Sequence, residues 1–293
     1  MADELTWREL WASTAEVLGS RPEARWLCET ASGLDGDEFL AALDERATVR
    51  MVAHLDAMVA RYRGGEPLAH VMGRWSFRRL ELMIDRRVLI PRPETELVAE
   101  RAIELARGFT PRLVADLGTG SGAIGLSLAA ELSIDGTEAW LTDASTDALD
   151  VARANAAGLG RAAANVRFAQ GSWFDALPVE FRGRFDVIVA NPPYIAVDDP
   201  EVEASVREWE PREALFAGTD GLDDIRLIVA GAREWLKPNG WLVIEFGHRQ
   251  GAAVKELAEK AGFVDVKVHP DLAGRDRFLT AHRGSGDDFS PHR

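Results

Sequence analysis

Four consecutive residues have the types needed to hold a flat, amide-like or nucleobase-like group. They follow a strand predicted over residues 185–190, with a continuous apolar run at 187–189, and read Asn191, Pro192, Pro193 and Tyr194. Because two prolines prevent both ladder hydrogen bonding and helix formation, the chain must leave a buried strand there. Ligands bind at the carboxyl ends of strands in an open α/β sheet. This Asn-Pro-Pro-Tyr turn is therefore expected to present a carboxamide and an aromatic ring to a cleft.

A second group of residues predicts nucleoside binding. A strand predicted over residues 112–117 precedes a glycine-rich stretch, residues 118–122, and then a helix. Glycines let the backbone approach a ligand closely, and the helix amino terminus offers free NH groups. Asp143 ends the next predicted strand about twenty residues later, where an acid accepts hydrogen bonds from ribose hydroxyls. We expect this glycine loop and Asp143 to bind a nucleoside.

Two questions about the nucleoside site stay open: which nucleoside binds, and whether Trp173 takes part. The stretch from Gly120 to Gly125 also matches the dinucleotide fingerprint, so a nicotinamide dehydrogenase is a candidate. That function gives the Asn-Pro-Pro-Tyr turn no role. Trp173 follows a third predicted strand, and its indole either lies near the base or packs in the core.

Composition restricts the class of protein. The chain has 293 residues, enough for one large and one small domain. Its single cysteine, Cys28, excludes an internal disulfide, and its six histidines lack ligand spacing, so we expect no metal site. No leader pattern and no uncharged apolar run near ~18 residues is seen, which predicts a cytoplasmic protein without a membrane span. A net charge of -14 argues against direct DNA binding.

The elements that position these residues predict four divisions of the chain. Residues 1–73 form a helical domain with Thr6 and Glu9 as a capping box, and nothing in it has catalytic spacing. Residues 74–90 form a β-hairpin linker, because Leu80, Leu82 and Ile84 alternate as in a half-buried strand. Residues 91–283 form the main domain, and residues 284–293 form a disordered tail.

Seven strands are predicted in the main domain. The loop between the last two is too short for a parallel crossover, so those two pair antiparallel. The fold class is α/β: a mostly parallel, seven-stranded sheet with an antiparallel terminal hairpin, together with the small all-α amino-terminal domain. The strands are expected at residues 112–117, 139–142, 165–169, 185–190, 241–246, 263–268 and 277–281.

These motifs together carry a family resemblance. The glycine loop with the Asn-Pro-Pro-Tyr turn resembles those class I S-adenosylmethionine-dependent methyltransferases that modify a planar nitrogen, and this resemblance implies a Rossmann-like fold. More narrowly, the chain resembles the release-factor glutamine N5-methyltransferases. The matching segments are Leu-Ile-Pro-Arg-Pro-Glu-Thr-Glu at residues 89–96, Glu-Pro-Arg at 210–212, Leu-Phe-Ala-Gly at 215–218 and Asp-Gly-Leu at 220–222.

The resemblance implies a reaction and its participants. S-adenosylmethionine would be the cofactor and S-adenosylhomocysteine the product. The partner would be a class-1 peptide chain release factor, methylated on the glutamine of its Gly-Gly-Gln motif. The implied catalytic residues are Asn191, Pro192 and Tyr194. The implied cofactor-binding residues are Asp116, Gly118, Thr119, Gly120, Ser121, Gly122, Asp143, Trp173 and Asn191. The implied substrate-binding residues are Leu89, Arg92, Asn191, Pro192, Pro193 and Tyr194.

Other acceptors stay open at this point. A ribosomal-protein glutamine is one, and an adenine in nucleic acid is another, although the latter needs a basic recognition region that the sequence lacks. The chain also departs from the family at two places. Arg78 and Arg79 stand where an aromatic-glycine turn is expected, and Phe246 stands where a histidine is common.

Overall fold

Residues 5–285 are described by a computed structural model, in which the chain divides into two units, Met1–Arg74 and Trp75–Arg293. The predicted disordered tail lies outside the described residues from position 286 onward. Between residues 5 and 285, no helix combines the length and the apolar character that a membrane crossing requires.

The first unit is built from helices around an aromatic and aliphatic core. The Thr6 backbone NH donates to Glu9 Oε2 at 2.9 Å and its hydroxyl accepts from the Glu9 NH at 3.3 Å, which confirms the predicted capping box. Trp7, Leu27 and Phe39 are among the side chains buried in this core. Within residues 5–74 the helices are α1 (Trp7–Leu18), α2 (Arg21–Ser32), α3 (Gly36–Ala41), α4 (Val49–Arg63) and α5 (Leu68–Met72).

A small hairpin and a large sheet follow. The hairpin pairs β1 (Arg74–Phe77) with β2 (Leu80–Met83). The large sheet has the order β5-β4-β3-β6-β7-β9-β8, with β9 antiparallel to both of its neighbours, so the predicted seven-stranded sheet and terminal hairpin are confirmed. Its strands are β3 (Arg112–Leu117), β4 (Thr137–Asp143), β5 (Val166–Gln170), β6 (Phe185–Ala190), β7 (Leu236–Glu245), β8 (Val264–Pro270) and β9 (Asp276–His282).

Strand β6 lies in the middle of the sheet and is buried at every position. Its apolar run from Val187 to Ala190 follows from parallel neighbours on both sides and a core that includes Ile225, Ile228 and Val254 from flanking helices. In residues 75–285 the helices are α6 (Pro93–Ala106), α7 (Ala123–Glu131), α8 (Thr146–Leu159), α9 (Ala204–Trp209), α10 (Asp223–Trp235) and α11 (Gly251–Lys260).

Strand β7 begins earlier than predicted, at Leu236 rather than Trp241. Phe185 pairs with Leu236 while Val187 pairs with Trp241, so the intervening Lys-Pro-Asn-Gly segment is a bulge within the strand. Because residues 237–240 have the composition of a turn, the sequence alone indicated a strand that starts only after them.

Arg78 and Arg79, the first departure from the family pattern, lie in the turn of the hairpin. Arg78 has φ of 52°, and its guanidinium donates to both carboxylate oxygens of Glu131 at 2.7 and 3.0 Å and to the Glu96 carbonyl at 3.0 Å. The Arg79 side chain is 81% exposed. Arg78 therefore fastens the hairpin to α6 and α7, whereas the exposed Arg79 approaches Glu131 only to 3.8 Å, beyond hydrogen-bond distance. Phe246 is fully buried in the core of the sheet.

We expect Arg78→Ala to lower the free energy of unfolding by about 2 kcal/mol, because the buried Glu131 carboxylate would lose both hydrogen bonds from Arg78. For a domain of this size the melting temperature should fall by roughly 4 to 8 °C, measured by circular dichroism. Arg79→Ala is the matched control and should stay within about 0.5 kcal/mol of the wild type. Equal melting temperatures for the two variants would contradict an anchoring role for Arg78.

Candidate active site

A cavity of about 240 Å³ lies where β3, β4 and β6 end. Because β4 and β6 lie on opposite sides of β3, this is the switch point at which open α/β sheets bind ligands. The predicted site residues that line this cavity are Leu89, Gly118, Gly120, Asp143, Trp173, Asn191 and Pro193.

The glycine loop keeps its backbone open to the cavity. Gly118 has φ of 71°, a conformation that favours glycine, and a Cβ there would lie 3.0 Å from the Trp173 ring. Gly120 has φ of 55° and its missing Cβ would meet no atom within 4 Å. The absence of side chains at these two positions leaves backbone surface free for a ligand.

Asp116 lies under the loop rather than in the cavity. Its Oδ2 accepts hydrogen bonds from the Thr119 hydroxyl at 2.6 Å and the Gly125 NH at 2.8 Å. Burial raises the pKa of Asp116 to about 6, against the lowering effect of those two bonds. Thr119, Ser121 and Gly122 also do not line the cavity. These residues shape the loop from behind.

Asp143 joins the end of β4 to the glycine loop. Its Oδ2 accepts from the Gly120 NH and its Oδ1 from the Ser145 NH, each at 2.9 Å. Burial raises the pKa of Asp143, and these backbone hydrogen bonds lower it. The carboxylate lines the cavity with its orientation fixed on both oxygens. It can still accept hydrogen bonds from hydroxyl groups of a ligand, because a carboxylate oxygen has two lone pairs.

Trp173 lies between the core of the sheet and the cavity. Its ring packs against the core of the sheet and also forms a wall of the cavity beside Gly118. The indole Nε1 donates to Asp224 Oδ1 at 3.1 Å. The ring plane is therefore held from its polar edge while its apolar surface remains available to a flat group.

Asn191 lines this cavity and also a neighbouring hollow of about 420 Å³. Its Nδ2 donates to the Thr95 hydroxyl at 3.4 Å, while its Oδ1 is buried without a hydrogen-bond partner in the described part of the chain. A buried amide oxygen normally has a donor. Asn191 Oδ1 is therefore an unused acceptor on a residue that lines both cavities. Predicted site residues in the second hollow are Leu89, Arg92, Asn191, Pro192 and Tyr194.

Tyr194 is held from behind by a buried acid. Its hydroxyl donates to Glu245 Oε1 at 3.3 Å. Burial raises the pKa of Tyr194, so the phenol is neutral near pH 7. Burial also raises the pKa of Glu245 to about 7. The ring is consequently fixed by its hydroxyl while it contributes to the wall of the second hollow.

The proline-rich rim, residues 89–96, is tied to the Glu-Pro-Arg segment. Glu210 accepts a hydrogen bond from the Ile90 NH at 3.1 Å and one from Arg92 Nη2 at 2.5 Å. The Glu210 side chain is only 1% exposed. A buried carboxylate that is paired and hydrogen-bonded in this way fixes the rim beside the Asn-Pro-Pro-Tyr turn.

The sequence-based site prediction missed Thr95, Glu210 and Glu245. Glu245 ends strand β7, so an acid at the carboxyl end of a buried strand was a usable signal, as it was for Asp143. Glu210 belongs to the Glu-Pro-Arg segment of the family resemblance, which by itself assigns no role to this acid. Among residues 5–285, no cluster of three or more histidine, cysteine or acidic side chains could hold a metal ion.

Two family models match the chain. A methyltransferase domain matches residues 113–270, which is more than half of the sequence. A PrmC N-terminal domain matches residues 13–73.

Curated relatives cover nearly the whole sequence. The release factor glutamine methyltransferase of Burkholderia pseudomallei is 42% identical and covers 91% of this chain and 94% of its own length. That of Geobacter sulfurreducens is 37% identical and covers 96% and 95%. That of Xylella fastidiosa (strain 9a5c) is 45% identical over 75% of this chain and 78% of its own.

A solved structure supports the fold. The hMettl16 catalytic domain in complex with a 3'UTR hairpin superposes with a TM-score of 0.54, and the match covers 82% of this chain and 83% of that one. Its sequence identity is 16%, so the likeness concerns the fold alone.

Proposed function

The chain belongs to the release factor glutamine methyltransferase family, and we propose how its own residues carry out that reaction. The protein is an S-adenosylmethionine-dependent enzyme that methylates the side-chain amide nitrogen, N5, of a glutamine. The acceptor is the glutamine of the Gly-Gly-Gln motif in class-1 peptide chain release factors.

The cavity at the ends of β3 and β4 fits the cofactor. When bound, S-adenosylmethionine supplies a methyl group activated by a sulfonium and leaves as S-adenosylhomocysteine. Gly118 and Gly120 would offer uncovered backbone to its methionine part, and the oriented Asp143 carboxylate would accept hydrogen bonds from its ribose. Trp173, which lines the same cavity, would hold the adenine. Behind the cavity, Asp116, Thr119, Ser121 and Gly122 keep the loop in this shape.

The second hollow takes the glutamine. A carboxamide nitrogen is a weak nucleophile because its lone pair is delocalised into the carbonyl. Asn191 Oδ1 and the Pro192 carbonyl accept its two NH bonds, which holds the nitrogen towards the cofactor cavity and raises its electron density. Positive charge that develops on the nitrogen is stabilised by the same two oxygens. The nitrogen gains the methyl group and releases one proton to water, so we assign no general base.

Four further residues complete the substrate site. The Tyr194 ring packs on the planar amide, and Pro193 stiffens the turn between the two cavities. Leu89 lines both cavities and Arg92 lines the second, where its pairing with Glu210 fixes its position. Together these residues surround the acceptor side chain.

One observation carries this assignment of roles. Asn191 Oδ1 is a buried acceptor without a donor, and Asn191 borders both cavities. A primary amide entering the second hollow supplies the missing donor. An adenine amino group would also do so, but the net charge of -14 disfavours a nucleic-acid partner.

The test is an acceptor comparison with labelled S-adenosylmethionine. We expect label on a purified class-1 release factor and none on the same factor with its Gly-Gly-Gln glutamine changed to alanine. Mass spectrometry should place one methyl group on that glutamine. Label on a ribosomal protein alone, or on an adenine-containing duplex alone, would overturn the proposed acceptor.

A further inference from the structure

Two segments of the family resemblance, Leu-Phe-Ala-Gly at 215–218 and Asp-Gly-Leu at 220–222, lie against the chain that leaves the Asn-Pro-Pro-Tyr turn. The first segment pairs with the residue after the turn. The Ile195 NH donates to the Leu215 carbonyl at 3.0 Å, and the Ala217 NH donates to the Ile195 carbonyl at 2.9 Å. The turn therefore continues directly into a short ladder, and Leu215 of this ladder also lines the second hollow.

Gln250, the residue before α11, joins the second segment to the turn. Its Nε2 donates to the Tyr194 carbonyl at 3.0 Å and lies 3.2 Å from the carbonyl oxygens of both Asp220 and Gly221. Its Oε1 accepts from the Gly247 NH at 2.8 Å. One side chain thus connects the last residue of the turn, the Asp-Gly-Leu segment and the residues that follow β7.

The hydrogen bonds of Gln250 fix which way its amide faces. An amide oxygen only accepts hydrogen bonds, and an amide NH2 donates them. If the group were rotated by a half-turn, its oxygen would face three carbonyl oxygens and its NH2 would face the Gly247 NH. The Gln250 NH also donates to the Gly247 carbonyl at 2.8 Å, which holds the backbone of the same residue. The donor to Tyr194 is therefore held in place by the chain after β7.

Close packing around the Tyr194 carbonyl makes this contact sensitive to small changes. Gly221 has φ of 72°, and a Cβ there would overlap the Tyr194 carbonyl oxygen and lie 2.8 Å from Gln250 Nε2. A Cβ at Gly247 would lie 3.5 Å from Tyr194 Cδ2 and 3.1 Å from Gln250 Oε1. Because both positions lack a side chain, the carboxyl end of the turn can lie against Gln250.

The turn has one anchor at each end. Asn191 follows β6, which is buried in the middle of the sheet, and Tyr194 is held at its carbonyl by Gln250. Between them, Pro192 and Pro193 have fixed φ angles, so a shift at Tyr194 also moves the Pro192 carbonyl. A misplacement of about 1 Å in a reacting geometry can lower a rate by roughly 100-fold.

We propose that Gln250 is a positioning residue for methyl transfer, which holds the carboxyl end of the turn so that the Pro192 carbonyl and the Tyr194 ring meet the acceptor amide. Gln250 lines neither cavity and acts through the Tyr194 carbonyl. This inference rests on the function proposed above. It adds that Gln250 and the Asp-Gly-Leu segment serve the acceptor site and not the cofactor site.

The first experiment replaces Gln250 with methionine, which has a similar length but no donor. We expect kcat of Gln250→Met on a release factor to fall roughly 10- to 100-fold, because the end of the turn is released. Calorimetry with S-adenosylhomocysteine should give the Kd of the wild type, and KM for the release factor should change less than kcat.

Gln170→Met is the matched control. Gln170 is exposed at the end of β5, and its Nε2 donates to the Ala144 carbonyl at 3.3 Å, so it makes the same type of bond away from the turn. Its kcat should stay within about twofold of the wild type, as for most surface substitutions.

The second experiment is a double-mutant cycle with Gly221→Ala, which displaces the same carbonyl by overlap. We expect a similar loss of kcat in this single variant. In the double variant the loss should be smaller than the product of the two, since both substitutions act on one contact.

Three results would overturn the positioning role: a Gln250→Met enzyme with the kcat of the wild type, losses that multiply in the double variant, or an equal loss of affinity for S-adenosylhomocysteine. If one single variant does not fold, kcat and Kd of the other decide. A wild type that is inactive on release factors refutes the proposed function instead.

Discussion

Asn191→Ala is expected to reduce methyl transfer by about 100- to 1,000-fold while cofactor affinity stays nearly unchanged. The substitution removes an unpartnered buried acceptor at the border of the two cavities, and with it the group that orients the glutamine nitrogen. The remaining lining of the cofactor cavity, including Asp143 and Trp173, is untouched. Single-turnover rates with a release factor and calorimetry with S-adenosylhomocysteine measure the two effects separately.

Asn165→Ala is the matched control for this variant. Asn165 precedes β5, at the amino ends of the parallel strands, whereas the site lies at their carboxyl ends. Its Nδ2 donates to the Ile134 carbonyl at 2.7 Å. Loss of that bond should lower stability by about 1 kcal/mol and leave the single-turnover rate unchanged. If Asn191→Ala instead abolishes cofactor binding, Asn191 belongs to the cofactor site and the proposed division of roles is wrong.

Asp143→Ala should weaken cofactor binding by roughly 10- to 100-fold, because a charged acceptor for the ribose hydroxyls is lost. The Gly120 NH and the Ser145 NH would also lose their partner, so the glycine loop would no longer be held in its binding shape. KM for S-adenosylmethionine should rise by a similar factor. At saturating cofactor, kcat should recover most of the wild-type value, since the acceptor site is unaffected.

The control for the second variant is Asp147→Ala, which removes an exposed acid from the first turn of α8. It should bind S-adenosylhomocysteine as the wild type does. The assignment of Asp143 fails if its substitution lowers kcat at saturating cofactor while Kd stays constant.

Local patterns were sufficient for the parts of the site that lie within one strand and the turn after it. The end of β6 at Ala190, the glycine loop after β3 and Asp143 at the end of β4 were all read from short stretches. Each is determined by nearest neighbours: an apolar run marks a buried strand, and proline or glycine marks where it ends. The same local rules misplaced the start of β7, because a bulge over 237–240 has the composition of a turn.

The sequence by itself determined which residue types meet at the carboxyl edge of the sheet, since parallel strands bring the turns after them to one edge. Only the tertiary structure decided how those residues are held. Thr95 contacts Asn191 across 96 positions and Glu210 contacts Arg92 across 118, while Arg78 reaches Glu131 across 53. A hydrogen bond between such distant residues leaves no periodicity in the sequence. Its partners are identified only when burial shows which polar groups must pair.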